Sequence, residues 1–136
     1  VIYLDSAAVV KLVRKEVHSD DLVAWLNLHK DVPLVSSALV EVEVPRALRR
    51  AAPQALIGVP TAVGRLFRLE IDSTVRATAA AFAEPTLRSL DAIHLATAQI
   101  LTNESGTALI AFVSYDRRLL DSARAAGLPT ASPGQE

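Results

Sequence analysis

The stretch Ala108–Ser114 (Ala-Leu-Ile-Ala-Phe-Val-Ser) limits the possible folds more than any other part of this chain. A short, continuous apolar run of this kind suits a strand buried on both faces, which is the environment of a parallel sheet covered by helices. Val1–Leu4 repeats the pattern, and residues 33–36, 68–71 and 129–131 supply three weaker strand segments. Between them lie stretches with helical spacing. Ser6 to about Lys15 carries Val9, Val10 and Val13, and the segment opened by Asp20 and Asp21 carries Leu22, Trp25, Leu26 and Leu28. Further helices are predicted over 37–51, 61–67, from Asp72 or Ser73 to Phe82, over Leu90–Thr102 behind a Ser89 cap, and from Asp116 to Gly127. Pro45 lacks an amide donor and crowds the preceding turn, so a kink or break is expected there. Residues 51–60 read as irregular, and Ser132–Glu136 as a frayed end. Strands alternating with helices predict one α/β domain over residues 1–136, with three layers and a mainly parallel sheet of about four to five strands.

In such sheets ligands bind beyond the carboxyl ends of the strands. Asp5 follows the first strand directly, and Asp116 follows Ala108–Ser114. Asp91 lies in the first turn of its helix and can face the same edge. Asp91 and Asp116 also suit helix starts, where capping and the macrodipole favour an acid. Asp5 is harder to explain that way, because a charge at the end of a buried strand is costly unless paired, hydrogen-bonded or metal-bound. Glu41 and Glu43 stand about 200° apart on their helix. Both have partly apolar stripes, so periodicity does not choose between them. Converging carboxylates repel unless a hard cation joins them, and Mg²⁺ or Mn²⁺ prefers oxygen ligands.

A net charge of −1 argues against nucleic-acid binding by bulk electrostatics. The cations are clustered instead, at Lys11, Arg14 and Lys15, at Arg46, Arg49 and Arg50, and at Arg117 and Arg118. The absence of cysteine excludes disulfides and thiolate metal sites. No apolar run approaches the ~20 residues of a membrane span, and no secretory signal is evident, so a cytoplasmic protein is expected. The apolar segments Leu22–Leu28 and Thr74–Phe82 suggest self-association.

Four motifs in order resemble those of the PIN-domain nucleases, most closely the VapC-type toxins of bacterial toxin–antitoxin pairs. They are Ile2-Tyr-Leu-Asp5-Ser-Ala-Ala, Ser37-Ala-Leu-Val-Glu-Val-Glu43-Val-Pro-Arg46-Ala47, Leu90-Asp91-Ala-Ile-His94-Leu-Ala-Thr-Ala98 and Val113-Ser114-Tyr-Asp116-Arg-Arg-Leu119. The resemblance implies a PIN-like fold and an endoribonuclease using Mg²⁺ or Mn²⁺. It selects Glu43 over Glu41, so that Asp5, Glu43, Asp91 and Asp116 form the catalytic and metal-binding set. It also implies a VapB-type antitoxin in the cleft, an RNA substrate and a homodimer. Ser6 and Ser114 stand where the family supports the acids or the metal-bound water. Arg46, Lys11 and Arg117 are candidates for contact with substrate or antitoxin. His94 falls within the third motif and is read as a packed or helix-face histidine. Two departures stand out: Ala7 replaces a family serine, and Pro45 lies between Glu43 and Arg46. If one ligand is displaced, Glu43 is expected to be that one.

Two other classes compete. One is a PIN-fold RNA- or protein-binding module without turnover. The other is a phosphotransfer enzyme using Asp5 as nucleophile, disfavoured because position 7 is alanine and no lysine follows Lys30.

Overall fold

The computed structural model describes residues 1–135, apart from the side chain of Ser105. Five short strands are found among them: β1 (Ile2–Leu4), β2 (Leu34–Ser37), β3 (Phe67–Leu69), β4 (Ala111–Val113) and β5 (Thr130–Ala131). They lie in the order β3-β2-β1-β4-β5, and every pairing is parallel. The chain therefore steps outward from β1 through β2 to β3, then returns to β1's other side with β4. This reversal opens a crevice beyond the carboxyl ends of β1 and β4, the position at which open α/β sheets bind ligands.

The helices are α1 (Ser6–Val13), α2 (Ser19–Leu28), α3 (Val40–Ala51), α4 (Val59–Gly64), α5 (Ser73–Ala81), α6 (Ser89–Ser105) and α7 (Arg117–Ala125). Alternation along β1 divides the core. Ile2 and Leu4 pack with Ala8 and Val9 of α1, Leu22 of α2 and Val40, Val44 and Leu48 of α3. Tyr3 faces the other way, with Val35, Phe112, Leu95 and Ala98 of α6, and Leu119 and Ala123 of α7. The result is the α/β/α three-layer arrangement that the alternating segments predicted, with a sheet that is parallel throughout where a mainly parallel one was expected.

Several local expectations need correction. The strand at Ala108–Ser114 shrinks to Ala111–Val113, because Ala108 and Ile110 are exposed. Residues before it still bond to the first residue, through Ile110 N–H to the Val1 carbonyl at 2.8 Å. Helix α3 runs unbroken through Pro45. The amide missing at Pro45 would have met the carbonyl of Glu41, an exposed residue where water can substitute. Residues 53–58, expected to be irregular, form a 3₁₀ segment leading into α4. Ser89 does not cap α6; the N-cap residue is Arg88, which makes no side-chain cap.

The expected frayed end is packed as far as Pro133. Ser132 is buried, and the Tyr115 hydroxyl donates to the Pro133 carbonyl at 2.9 Å. Gly134 has φ +93°, a backbone conformation that favours glycine, and lies against the Asp21 side chain. Among the described residues, no helix is long and apolar enough to cross a membrane.

Candidate active site

Asp5 and Asp116 enter the crevice from neighbouring strands, each as the residue that starts a helix. Asp5 Oδ1 accepts the Ala8 amide at 2.9 Å and caps α1, while the Asp5 amide donates to the Val113 carbonyl of β4 at 3.2 Å. Asp116 caps α7, its Oδ1 accepting the amides of Arg118 at 2.9 Å and Leu119 at 3.3 Å. Ser114 links the two acids. Its Oγ accepts the Asp116 amide at 3.1 Å, and its side chain hydrogen-bonds Asp5. Asp91 approaches from the first turn of α6.

Asp5 feels the charge of Asp91, and Asp91 that of Asp116. Burial raises Asp5 above its ordinary value of 3.8, and Asp91 adds to the rise; His94, Ser114 and the Ala8 amide oppose it. Asp91 is also raised, first by burial and then by Asp116, with a small push from Glu43 and relief from Arg88 and His94. Arg88 spans the pair, with Nε 3.7 Å from Asp91 Oδ2 and an Nη 3.4 Å from Asp116 Oδ2. Its side chain is 75% exposed, so solvent screens these contacts, which at such sites contribute about 0–1 kcal/mol. The guanidinium is therefore readily displaced.

Glu43 is held differently. Ser6 Oγ donates to its Oε1 at 2.5 Å, and His94 Nε2 lies 2.9 Å from the same oxygen. Burial works to raise Glu43, but the bonds from His94 and Ser6 outweigh it and leave the carboxyl below its ordinary range. Pro45 does not disturb this placement, since α3 stays helical on both sides of it.

Among the described residues, no three His, Asp or Glu side chains are gathered closely enough to enclose a metal ion. A full protein cage is not what Mg²⁺ requires: it retains several waters and binds through one or two carboxylates. Asp5, Asp91 and Asp116 supply hard oxygens, the charge of Asp91 disfavours ionised Asp5 and that of Asp116 disfavours ionised Asp91, and a cationic side chain already bridges the latter two. The donor set fits a hydrated divalent ion, with Glu43 at its edge.

Beside Glu43 lies a cleft of about 590 Å³. Ala7, Val10, Leu39, Val42 and Leu90 give it an apolar lining, and Arg46, Arg50 and Arg88 provide cations. Ala7 presents only a methyl group here, where the resembling family has a hydroxyl. Arg46 is exposed and stands at this cleft, as its motif position suggested. The expectation for Lys11 is corrected. Its ammonium is buried, bonded to the Val17 carbonyl at 2.8 Å and Glu16 at 3.2 Å, and sits 4.7 Å from the Tyr115 ring centroid. Arg117 is exposed beside Leu120, Arg124 and Ser132, in a hollow that includes none of the acids.

Two participants were missed in the sequence. Arg88 precedes Asp91 by three residues, a spacing at which helix-end side chains meet. His94 is buried as expected, but it also bonds Glu43, and no local signal announces that.

The raised acids make metal-free stability depend on pH. An acid raised by folding ionises more easily when unfolded, so its contribution falls as pH climbs through the window above about 4. Glu43, being lowered, contributes in the opposite sense and loses stability as pH falls. Thermal unfolding of wild type and Asp5→Asn in chelator, from about pH 4 to about pH 8, is expected to show the variant's advantage growing with pH. An advantage that shrinks with pH would contradict the burial of an ionisable Asp5.

The PIN domain family model matches residues 2–125. Among curated proteins, the chain is 51% identical over 134 residues to Ribonuclease VapC35 of Mycobacterium tuberculosis (strain ATCC 25618 / H37Rv), covering 98% of both chains. It is 41% identical over 132 residues to Ribonuclease VapC46 of the same strain, covering 97% of both. Ribonuclease VapC47 of strain CDC 1551 / Oshkosh is 37% identical over 136 residues, covering 98% of this chain and 97% of the relative. No solved structure matches the chain significantly.

Proposed function

This chain belongs to the PIN domain family, and on that premise we propose that it is a metal-dependent endoribonuclease, the toxin of a type II toxin–antitoxin pair. The observation that carries the reading is the crevice where the charge of Asp91 raises Asp5, the charge of Asp116 raises Asp91, and Arg88 bridges Asp91 and Asp116. The names of the relatives supply the substrate class, RNA. Mg²⁺ or Mn²⁺, held by Asp5, Asp91 and Asp116 with Glu43 beside them, would acidify a bound water and neutralise charge on the phosphodiester.

The chain's own groups do the rest. Backbone amides and Ser114 hold Asp5 and Asp116 in place. Glu43, kept ionised by His94 and Ser6, offers a carboxylate oxygen to orient water. Arg46 and Arg50 stand along the cleft where RNA phosphates approach, and Arg88 is free to turn from the acids to a phosphate. The apolar lining of the same cleft suits a VapB-type antitoxin segment. Val23 and Leu28, exposed on α2, favour a homodimer.

Purified protein should cleave an RNA panel with Mg²⁺ or Mn²⁺, stop in EDTA and recover when the metal is restored. Cleavage unaffected by chelation would sink the metal reading, and RNA binding without cleavage at any metal concentration would favour a module without turnover. Light scattering of the same sample is expected to give a dimer at micromolar concentration; a strict monomer would contradict that part.

A further inference from the structure

Behind Glu43 a buried line of hydrogen bonds runs from the sheet into the crevice. Tyr3 is fully buried on β1, and its hydroxyl lies 2.7 Å from His94 Nδ1. His94, 2% exposed on α6, places Nε2 2.9 Å from Glu43 Oε1 and 3.0 Å from Ser6 Oγ. The pattern assigns the tautomer. A carboxylate oxygen only accepts, and it already takes the Ser6 hydroxyl, so Nε2 must carry a proton. In the neutral ring Nδ1 is then the acceptor for the Tyr3 hydroxyl, and in the imidazolium the hydroxyl accepts from it; Nε2–H meets Glu43 in both.

The ring is also fixed sterically. Tyr3 stacks on Phe112 with centroids 5.2 Å apart and planes 3° apart, and meets the His94 ring edge-on at 5.8 Å and 78°. Rotation of the imidazole would break both nitrogen contacts in a setting where unpaired polar groups are expensive. A residue needed only to fill this space would cost less if apolar.

We propose that His94 is a positioning residue for Glu43: anchored by Tyr3, its Nε2–H engages Oε1 and leaves Oε2 as the oxygen turned to metal and water. The consequence for metal binding rests on the nuclease reading above; the hydrogen-bond relay does not. Partners of this kind behind a ligand are worth ~10–100-fold in metal affinity.

The test uses the full chain and Mn²⁺ alone, titrated by calorimetry after circular dichroism confirms folding. His94→Asn reaches only as far as Nδ1 and is expected to weaken Mn²⁺ binding by ~10–100-fold. His94→Gln can set an amide N–H near the Nε2 position and should recover most of the affinity. In a Glu43→Gln background the His94→Asn loss should largely vanish, because the effect passes through Glu43. In metal-free protein, ¹⁵N spectra of the imidazole should show a proton on Nε2, and Tyr3→Phe should perturb the Nδ1 signal.

A folded His94→Asn that binds Mn²⁺ like wild type overturns the proposal, as does an undiminished loss in the Glu43→Gln background or a bare Nε2. A merely structural histidine would lower the unfolding temperature with glutamine no better than asparagine, which also counts against it. Wild type that shows the expected tautomer but binds no Mn²⁺ would refute the metal-nuclease reading while supporting the relay.

Discussion

Replacing Asp5 by asparagine is expected to lower RNA cleavage by ~10³-fold or more, the order lost when a preorganised charged or polar group is removed from a reaction centre. Asparagine is nearly isosteric and keeps an oxygen for the Ala8 amide, so the start of α1 should survive. What disappears is the negative charge that balances a divalent ion. The same substitution is expected to stabilise the metal-free protein by about 0.5–2 kcal/mol, since Asp5 is 4% exposed and ionised only against burial and Asp91. Loss of cleavage with a gain in unfolding temperature separates a functional acid from a structural one. A variant that cleaves like wild type would remove Asp5 from the mechanism. One that unfolds more easily would show that its cap and Ser114 contacts outweigh the charge it buries.

The largest effect on stability is expected at Phe112. Its ring is fully buried on β4, stacked on Tyr3 and packed among residues from α6 and α7. Truncation to alanine removes that burial and leaves a cavity in the middle of the sheet, at a cost of ~3–5 kcal/mol. Domains of this size hold only about 5–15 kcal/mol in total, so Phe112→Ala should expose the chain to proteolysis and lower the urea midpoint sharply. An unchanged slope with a lower midpoint would place the effect in the native state. A loss below about 1 kcal/mol would mean that the neighbouring side chains collapse into the space. The ring supports Tyr3, so folded variant protein should also show a disturbed His94 environment.

Much of the architecture was legible in the sequence because its causes are local. Periodicity separates a buried strand from an amphipathic helix, and spacing narrows the cap of α5 to Asp72 or Ser73, of which Asp72 serves, accepting the Val75 amide at 2.9 Å. Asp5 and Asp116 are legible for the same reason: each follows a strand and starts a helix. Pro45 shows the limit of local rules. It lacks an amide, yet the carbonyl this leaves faces an exposed part of α3, so the helix continues. The apolar residues of 108–110 likewise could not reveal that Ala108 and Ile110 are exposed. Lys11 reads as a surface cation beside Arg14 and Lys15, but Glu16, the Val17 carbonyl and Tyr115 enclose it.

By itself the sequence determined the alternation of strands and helices, the acids at the strand ends and the four motifs, all of which depend on residues near one another in the chain. Only the tertiary structure decided the strand order that opens the crevice, the bridge from Arg88 to Asp116 and the line from Tyr3 through His94 to Glu43. The Tyr3–His94 bond joins residues 91 positions apart. Such a contact exists only after β1 is sandwiched between the two helical layers, because the sheet alternation that sends Leu4 to one face is what sends Tyr3 to the other.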